Sequence, residues 1–315
     1  MMRFVVTGVT GQVGWELQRS LQSYGDVVAL DRSTLDLSEP EQLSATLRHV
    51  EPDVIFNPAA FTAVDLAESR PEVARRVNQD AVGAIAREAA ALGALLIHYS
   101  TDYVFSGLSE HPYVESDLPD PRSEYGRTKL GGERALAQSQ ADWLCLRTSW
   151  VYGSRGKNFL QTVLRLARER DELRVVADQI GAPTWCRYIA DASVRVMVTA
   201  LEERRQGRFS SEILHLAAAG ETSWHEFAEE ILRQASALGI KGIRAERVAA
   251  ISSAQYPTPA LRPANSRLNC ARIRRRFGVV QPRWQSGVSL CLSDIAVSAS
   301  KQAMGALDAA SCPRL

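Results

Sequence analysis

Length, composition and charge exclude several classes of protein. The chain has 315 residues, 45% of them hydrophobic and 23% charged, which is typical of a globular protein. Its 37 basic and 36 acidic side chains nearly cancel, so a polybasic nucleic-acid binder is excluded and an anionic ligand needs a local site. No apolar run approaches the ~20 residues of a membrane span, and the apolar start at residues 4–6 is too short for a signal peptide.

The cysteines and histidines are scattered, with no C-x-x-C or H-x-x-x-H spacing. Disulfide frameworks and zinc sites need such clustering, so we predict neither, and we expect no catalytic metal. Unpaired cysteines are typical of a reducing compartment, and we therefore expect a cytoplasmic protein.

The first half of the chain alternates between strand and helix patterns. Short apolar runs flanked by turn residues have the length of buried parallel strands. These runs are Arg3–Thr7, Val27–Leu30, Asp53–Asn57, Leu95–Ser100 and Trp143–Ser149. Repeated β-α-β units predict an α/β fold of the Rossmann type, a doubly wound parallel sheet with helices on both faces.

Helix starts are signalled by S-x-x-E capping boxes at Ser38–Glu41, Ser69–Glu72 and Ser223–Glu226. The alanine-rich stretch Val73–Leu92 predicts one long helix packed on the sheet.

The alternation loosens from about Tyr152, which predicts a second, smaller unit. We expect an NAD(P)-binding domain over residues 1–152, with returning segments at about 187–218. Those segments include a helix at Arg187–Leu201 and a short strand at His215–Ala218. A smaller C-terminal substrate-binding domain is predicted over 153–186 and 219–298, and a disordered tail over 299–315.

A glycine-rich segment directly follows the first strand and opens the first helix. Glycines there let the backbone approach a pyrophosphate, and the helix N-terminus offers free N–H groups. The spacing is G-x-x-G-x-x-G, one residue longer than the usual dinucleotide fingerprint. The residues expected to contact the cofactor are Gly8, Thr10, Gly11, Gln12, Val13 and Gly14.

Further cofactor contacts are expected after the second and third strands. Asp31 can hydrogen-bond the adenosine ribose of NADH, whereas the adjacent Arg32 can pair with the 2′-phosphate of NADPH, so both cofactors stay open. Asp36 and Leu37 are candidates for adenine contacts. After the third strand, small residues let the cofactor pass close to the backbone; the candidates are Ala59, Ala60, Phe61 and Thr62.

A Y-x-x-x-K motif places Tyr125 and Lys129 on one face of a predicted helix. An ammonium beside a phenol lowers the tyrosine pKa, and such a tyrosine can protonate an alkoxide forming at a carbonyl. Ser100 and Thr101 end the fourth strand at the same edge of the sheet, where either hydroxyl can stabilise the developing charge.

Together these motifs resemble the extended short-chain dehydrogenase/reductases, and within them the dTDP-4-dehydrorhamnose reductases. The similarity extends from about Arg3 to Trp284. It rests on the segments Gly8–Gly14, Leu35–Leu37, Asn57–Asp65, Tyr99–Phe105, Tyr125–Glu133, Arg147–Gly153, Asp178–Thr184 and Arg262–Leu268.

The resemblance implies reduction of the 4-keto group of dTDP-4-dehydro-L-rhamnose to dTDP-L-rhamnose, with NADPH or NADH as cofactor. It makes Tyr125 the proton donor, Lys129 the residue that holds the nicotinamide ribose, and Thr101 the residue that orients the keto group. Sugar contacts are expected from Thr101, Asp102 and Trp150, and contacts to the nucleotide diphosphate from Asn158, Arg262 and Asn265.

Several alternatives stay open. Another nucleotide-sugar 4-ketoreductase or an epimerase of the superfamily shares these motifs, as does a non-catalytic regulatory subunit that resembles the reductase. The resemblance also brings in a dimer type of this family, in which glutamates of two subunits bind a shared magnesium ion. Glu16 matches, but the helix around Arg187 offers no second glutamate, so we expect no bridging metal. A homodimer is compatible with the sequence.

Overall fold

The computed structural model describes residues 1–311, and for residue 40 and residues 298–311 the course of the backbone only. In chain order the strands are β1 (Met2–Thr7), β2 (Gly25–Leu30), β3 (Val54–Asn57), β4 (Leu95–Thr101), β5 (Asp142–Thr148), β6 (Val151–Tyr152), β7 (Glu172–Val176), β8 (Ile180–Gly181), β9 (Thr184–Trp185), β10 (Glu212–His215), β11 (Thr222–Ser223) and β12 (Arg247–Ile251).

The α-helices cover the sheet and build the smaller unit. They are α1 (Gln12–Leu21), α2 (Pro40–Val50), α3 (Val64–Ser69), α4 (Pro71–Arg75), α5 (Ala81–Leu92), α6 (Glu124–Ala137), α7 (Phe159–Glu169), α8 (Cys186–Arg205), α9 (Trp224–Ala237), α10 (Ala271–Phe277) and α11 (Trp284–Ser311).

A six-stranded sheet with the order β10-β5-β4-β3-β1-β2 forms the centre of the molecule. Each neighbouring pair is parallel, which confirms the predicted doubly wound α/β fold. All five predicted strands of the first half are present. The returning strand ends at His215, where it was predicted to begin. Shortly after this residue the backbone leaves the sheet, and the N–H of Ala217 donates to the sulfur of Cys270 at 3.3 Å.

Alternate side chains of the central strands enter two separate cores, because successive residues of a strand point to opposite faces. Phe4 and Val6 of β1 pack in the core formed with α1 and α8. Val5 packs in the opposite core, with α2 and α5. Burial on both faces explains why these strands are apolar runs without alternation.

Of the three predicted capping boxes, one is confirmed. Ser223 accepts from the N–H of Glu226 at 3.1 Å, and its own N–H donates to the Glu226 carboxylate at 2.8 Å. The prediction at Ser38 is wrong, because its hydroxyl donates to Asp36 and α2 begins at residue 40 without a side-chain cap. Ser69 also does not cap a helix; it is the last residue of α3.

The predicted long helix at Val73–Leu92 is helical but not uniform. It consists of α4, a π-helical segment at Arg76–Asp80, and α5. The π segment adds about one residue to a turn, and such segments are frequent at functional sites.

The smaller unit packs around its own apolar core, which α7, α9 and α11 share with the parallel pair β7 and β12. Its largest fully buried side chains include Tyr152 and Phe227. The helix α11 runs to Ser311 and so covers most of the tail predicted to be disordered, whereas residues 312–315 lie outside the described part. Within residues 1–311, no helix combines the length and apolar character needed to cross a bilayer.

Candidate active site

A cleft of about 930 Å³ opens at the carboxyl ends of the central strands. Between β1 and β3 the strand order reverses, since β2 lies on one side of β1 and β3 on the other. Ligands of open parallel sheets bind at such a switch point. Every residue predicted to contact the cofactor lines this cleft, as do Thr101, Asp102 and Trp150.

The glycine-rich loop forms one wall of the cleft. Gly8 has φ +59°, in the left-handed region that favours glycine. A Cβ on Gly14 would lie 2.4 Å from the carbonyl oxygen of Gly8, so that position admits glycine only. Gly11 caps α1 without a side-chain hydrogen bond, so no capping side chain occupies the first N–H groups of the helix, and the loop that precedes them lines the cleft. These features fit a dinucleotide pyrophosphate.

The turn after β2 presents one anion and one cation to the cleft. One carboxylate oxygen of Asp31 accepts from Ser33 N at 2.8 Å and Thr34 N at 3.0 Å. Hydrogen bonds from Ser33 and Thr34 lower the pKa of Asp31. Arg32 is 85% exposed in its side chain and pairs with Asp36 at 3.2 Å. A ribose hydroxyl can bind the free Asp31 oxygen, and a 2′-phosphate can compete for Arg32.

The segment after β3 is held in place by the π segment. Asn78, which is 1% exposed, accepts from Phe61 N at 2.8 Å and donates to Phe61 O at 3.1 Å. Its amide nitrogen also lies 3.1 Å from the hydroxyl of Thr128 on α6. One buried amide therefore links the wall expected to contact the cofactor with the helix that carries the Y-x-x-x-K motif.

Tyr125 lies at the start of α6, where the Ser123 hydroxyl caps the helix. Its phenol hydrogen-bonds Thr101, and its ring packs edge-on against Tyr103 with centroids 5.5 Å apart. The sequence predicted that Lys129 lowers the pKa of Tyr125. Burial instead raises the pKa of Tyr125, and the Thr101 hydrogen bond opposes it. The phenol therefore keeps its proton, as a proton donor must.

Lys129 is 2% exposed and lies one turn beyond Tyr125. Its Nζ donates to the carbonyl of Tyr99 at 2.6 Å and lies 3.4 Å from Nε2 of His98. Burial lowers the pKa of Lys129 to about 8. The ammonium is thus desolvated at the floor of the cleft, where its electrostatic effect on a ligand is strongest.

Three buried oxygens of the cleft have no hydrogen-bond partner among the described residues. They are Ser100 Oγ, Asp102 Oδ2 and Thr148 Oγ1. Unsatisfied buried polar atoms are costly, and they are expected where a ligand supplies the missing partners. Burial raises the pKa of Asp102 to about 6, against the effect of hydrogen bonds from Ser266 and Thr101, so at neutral pH the carboxylate is mostly ionised and can accept hydrogen bonds from a ligand.

The indole of Trp150 is clamped on both faces. Trp224 stacks on one face with centroids 3.5 Å apart and an interplanar angle of 9°. A Cβ on Gly181 would lie 2.5 Å from Cε2 of Trp150 and 2.8 Å from both Cζ2 and Nε1. Cζ2 and Nε1 are both bonded to Cε2, and this Cβ is equally far from the two and only slightly farther than from Cε2. Gly181 therefore lies over the ring, on the face opposite Trp224. Trp150 has φ +48°, a left-handed backbone that is costly for a bulky residue.

The three residues predicted to bind the nucleotide diphosphate each have partners within the protein. Asn158 caps α7 and donates to Gln12 at 3.0 Å. Arg262 pairs with Asp65 at 2.7 Å, and Asn265 donates to two carbonyls of the 109–111 loop. None of the three lines the cleft.

Other cleft residues were missed by the sequence analysis, among them Thr148, Lys157 and Trp224. Trp224 stands inside a capping box, a signal that indicates a helix start and says nothing about a ligand. No short-range pattern connects it with Trp150, so only the fold brings the two indoles together.

The carboxylate of Glu16 is engaged by arginines. It accepts from Arg19 at 3.1 Å and from Arg187 at 3.0 Å. In the described part of the chain, no group of histidine, cysteine, aspartate and glutamate side chains has the arrangement of a metal site.

Comparisons with known proteins identify the family of this chain. The family model for the RmlD substrate binding domain matches residues 2–297. The dTDP-4-dehydrorhamnose reductase of Burkholderia thailandensis is 48% identical over 93% of this chain and 99% of its own. The dTDP-4-dehydrorhamnose reductase of Escherichia coli K12 is 44% identical over 93% of this chain and 98% of its own. A crystal structure of the Bacillus anthracis dTDP-4-dehydrorhamnose reductase in complex with NADP has a TM-score of 0.83 at 31% identity, covering 93% of this chain and all of that one. The chain therefore belongs to the dTDP-4-dehydrorhamnose reductase family.

Proposed function

We propose that this protein reduces the 4-keto group of dTDP-4-dehydro-L-rhamnose to give dTDP-L-rhamnose, with NADPH or NADH as the reductant. The observation that carries the proposal is the convergence of Tyr125, Lys129 and Thr101 at the cleft that the glycine-rich loop also lines. Family membership supports the same reaction, because the relatives compared above are named for it.

The nicotinamide supplies the hydride when it is bound. The protein's own part is to polarise the carbonyl and protonate its oxygen. Tyr125 holds its proton at neutral pH and is the donor to that oxygen. Thr101 hydrogen-bonds Tyr125 and donates to Asp102 Oδ1 at 3.0 Å, so the two hydroxyls lie together on the cleft wall, where a keto oxygen would bind. The Lys129 ammonium stabilises the phenolate that remains after the transfer.

NADP in the Bacillus anthracis reductase supports NADPH as a cofactor of this chain. The turn after β2 is compatible with either nucleotide. Arg32 is exposed and bound only by a surface ion pair, which is worth little and which a 2′-phosphate can replace. Asp31 keeps an oxygen for the ribose of NADH. Comparing kcat/KM for the two reductants in Arg32→Ala and Asp31→Ala variants would measure each contribution.

The reaction is tested by mixing purified protein, NADPH and dTDP-4-dehydro-L-rhamnose, following NADPH absorbance and identifying the product by NMR. We expect one NADPH consumed for each dTDP-L-rhamnose formed. An epimerase would change the sugar without net NADPH consumption, and a regulatory subunit would do neither. Either result would overturn the proposal.

We also propose a cytoplasmic location and leave a homodimer as the assembly to be tested. The free cysteines Cys145, Cys186, Cys270 and Cys291 support a reducing compartment. Light scattering on the purified protein gives the mass in solution, and fractionation of cells gives the location.

A further inference from the structure

A buried row of polar side chains crosses the sheet beneath the cleft. Thr7 Oγ1 lies 2.7 Å from Asn57 Oδ1, and Asn57 Nδ2 lies 3.1 Å from His98 Nδ1. His98 Nε2 lies 3.4 Å from Lys129 Nζ. The row thus begins one residue before Gly8 and ends at the lysine of the Y-x-x-x-K motif.

Strand geometry accounts for the alignment. Thr7, Asn57 and His98 stand on the adjacent strands β1, β3 and β4, and Asn57 is paired with His98. Their side chains share the face of Val5 and Leu96, which α6 helps to cover. His98 and Asn57 are fully buried and Thr7 is 2% exposed, so each polar atom depends on its neighbour in the row.

Lys129 needs this row because its ammonium is buried without a carboxylate of its own. Glu133, one turn further along α6, is held by Arg147 in a bidentate pair at 2.8 and 2.6 Å. An ammonium has three N–H donors. The Tyr99 carbonyl accepts one of them, His98 Nε2 is placed to accept a second, and the third is left for the cleft.

The imidazole of His98 is suited to accept. Burial keeps the pKa of His98 well below its usual value, so the ring is neutral. Asn57 lies on the Nδ1 side, with its amide group 3.1 Å from Nδ1. A proton on Nδ1 leaves the Nε2 lone pair directed at Lys129. The nitrogen and oxygen of the Asn57 amide exchange places by a half turn; Oδ1 then accepts from Nδ1–H of His98 and Nδ2 donates to Thr7 Oγ1, so every contact of the row is satisfied in this tautomer.

We propose, building on the function proposed above, that His98 is a positioning residue for Lys129. Its Nε2 accepts from the ammonium and fixes Nζ at the floor of the cleft, while Asn57 and Thr7 hold the imidazole. The row makes the geometry at Lys129 depend on Thr7, at the base of the glycine-rich loop. The charged or titratable groups that act on Lys129 are His98 from β4, Cys145 from β5 and Glu133 on its own helix.

The test is direct titration of Lys129 by NMR in protein with isotope-labelled lysine side chains and no ligand. The chain has four lysines, Lys129, Lys157, Lys241 and Lys301, and the Lys129 signal is assigned by its loss in Lys129→Met. In His98→Leu the ammonium loses an acceptor, and we expect its pKa to fall by about one further unit. His98→Gln, which keeps an acceptor, should recover part of that fall.

The matched control is His215→Gln. His215 is also fully buried and neutral, but it bonds the Tyr113 carbonyl and does not line the cleft. It should leave the Lys129 titration unchanged. If His98→Leu does not fold, Thr7→Val removes only the first hydroxyl of the row and should lower the Lys129 pKa to a smaller extent. An unchanged or higher pKa in His98→Leu or Thr7→Val, or an equal fall in His215→Gln, overturns the proposal.

Kinetics provide the second measurement. Loss of the acceptor should lower kcat about fivefold at pH 8, because a one-unit fall in pKa reduces the protonated fraction of Lys129 by that factor, and should weaken NADPH binding, whereas His98→Gln should be closer to wild type in both. The titration involves no turnover. A negative result there leaves the proposed reaction intact, and a protein that reduces another keto sugar would still show the expected titration.

Discussion

Trp224 covers one face of Trp150 in a nearly parallel stack, with ring centroids 3.5 Å apart. Gly181 covers the other face, so Trp150 presents its edge to the cleft. With Trp224 in this position, the sugar contact predicted for Trp150 would involve the indole rim or its N–H. Gly181 and Trp224 both belong to the smaller unit. That unit therefore fixes the orientation of Trp150, which follows β5 of the central sheet.

Trp224→Leu should weaken substrate binding more than cofactor binding, because it frees Trp150 to rotate. An aromatic stack is worth about 1 kcal/mol beyond its buried area, so we expect KM for the nucleotide sugar to rise roughly five- to tenfold. The Kd for NADPH should change less than about twofold by the same reasoning. Circular dichroism should also lose the signal of the coupled indoles.

Trp143→Leu serves as its control, since Trp143 is buried in the opposite core and lies away from the cleft. It should leave the KM for the sugar unchanged. Equal increases in KM in the two variants would mean that the Trp150–Trp224 stack has no particular role.

Tyr125→Phe should bind NADPH normally and lose turnover. The change removes the proton donor while the ring and its contact with Tyr103 remain. General acid catalysis contributes about 10²–10⁴-fold, and kcat should fall by that factor. Tyr113→Phe, a buried tyrosine outside the cleft, should keep the wild-type kcat. A kcat for Tyr125→Phe near that of wild type would contradict the assignment.

The pH dependence of kcat/KM should reveal Lys129. Because burial lowers its pKa to about 8, the ammonium is present below pH 8 and is lost as the pH rises through 8. Since kcat/KM reports groups of the free enzyme, its alkaline limb should fall near that pH. A profile that stays flat well beyond pH 9 would show that the ammonium is not needed.

Lys129→Met should be more stable than the wild type at neutral pH, although inactive. The folded-state pKa of about 8 is below the ordinary 10.5, so burial of the charge destabilises the native state at every pH below 8. The cost is roughly 3 kcal/mol and disappears as the pH rises from 8 to above 10.5. Denaturant unfolding across this range should show the advantage of the variant shrinking. An advantage that does not depend on pH would contradict this explanation.

Glu133→Gln should destabilise the protein by about 3–5 kcal/mol, because it removes the carboxylate that forms the bidentate pair with the buried Arg147 guanidinium. The pair is 2% exposed on both sides, and Arg147 also lies over the ring of Phe105 at 4.8 Å. The exposed pair Arg165–Glu169 provides the comparison, and Glu169→Gln should cost less than about 1 kcal/mol. Chemical unfolding of the two variants measures the difference, and similar losses would refute the prediction.

The sheet and the cofactor wall could be predicted from the sequence because both depend on local patterns. An apolar run such as Leu95–Ser100 indicates a buried strand, and a parallel topology brings the residues after each strand to one edge. Gly8 and Thr101, far apart in the chain, were expected to meet for that reason, and both line the cleft.

The substrate end could not be predicted in the same way, since it depends on how the smaller unit packs. Arg262, which we expect to bind a diphosphate, pairs with Asp65 at 2.7 Å in the folded chain, and no sequence pattern indicates that pair. The pKa of Tyr125 was also misjudged. The i,i+4 spacing places Lys129 on the same helix face as Tyr125, but it does not reveal that burial raises the pKa of the phenol and that the opposing hydrogen bond comes from Thr101.

The π segment at Arg76–Asp80 has a consequence for any attempt to regularise this region by redesign. Removing its extra residue would restore uniform helical hydrogen bonding, yet each residue of a helix advances by about 100° around the axis. Asn78 would then face away from Phe61 and Thr128, and a Cβ on Gly132 would no longer meet the Asn78 carbonyl that now excludes it at 2.3 Å. A more ideal helix would thus uncouple two walls of the cleft, so the irregular turn is worth preserving in engineered variants.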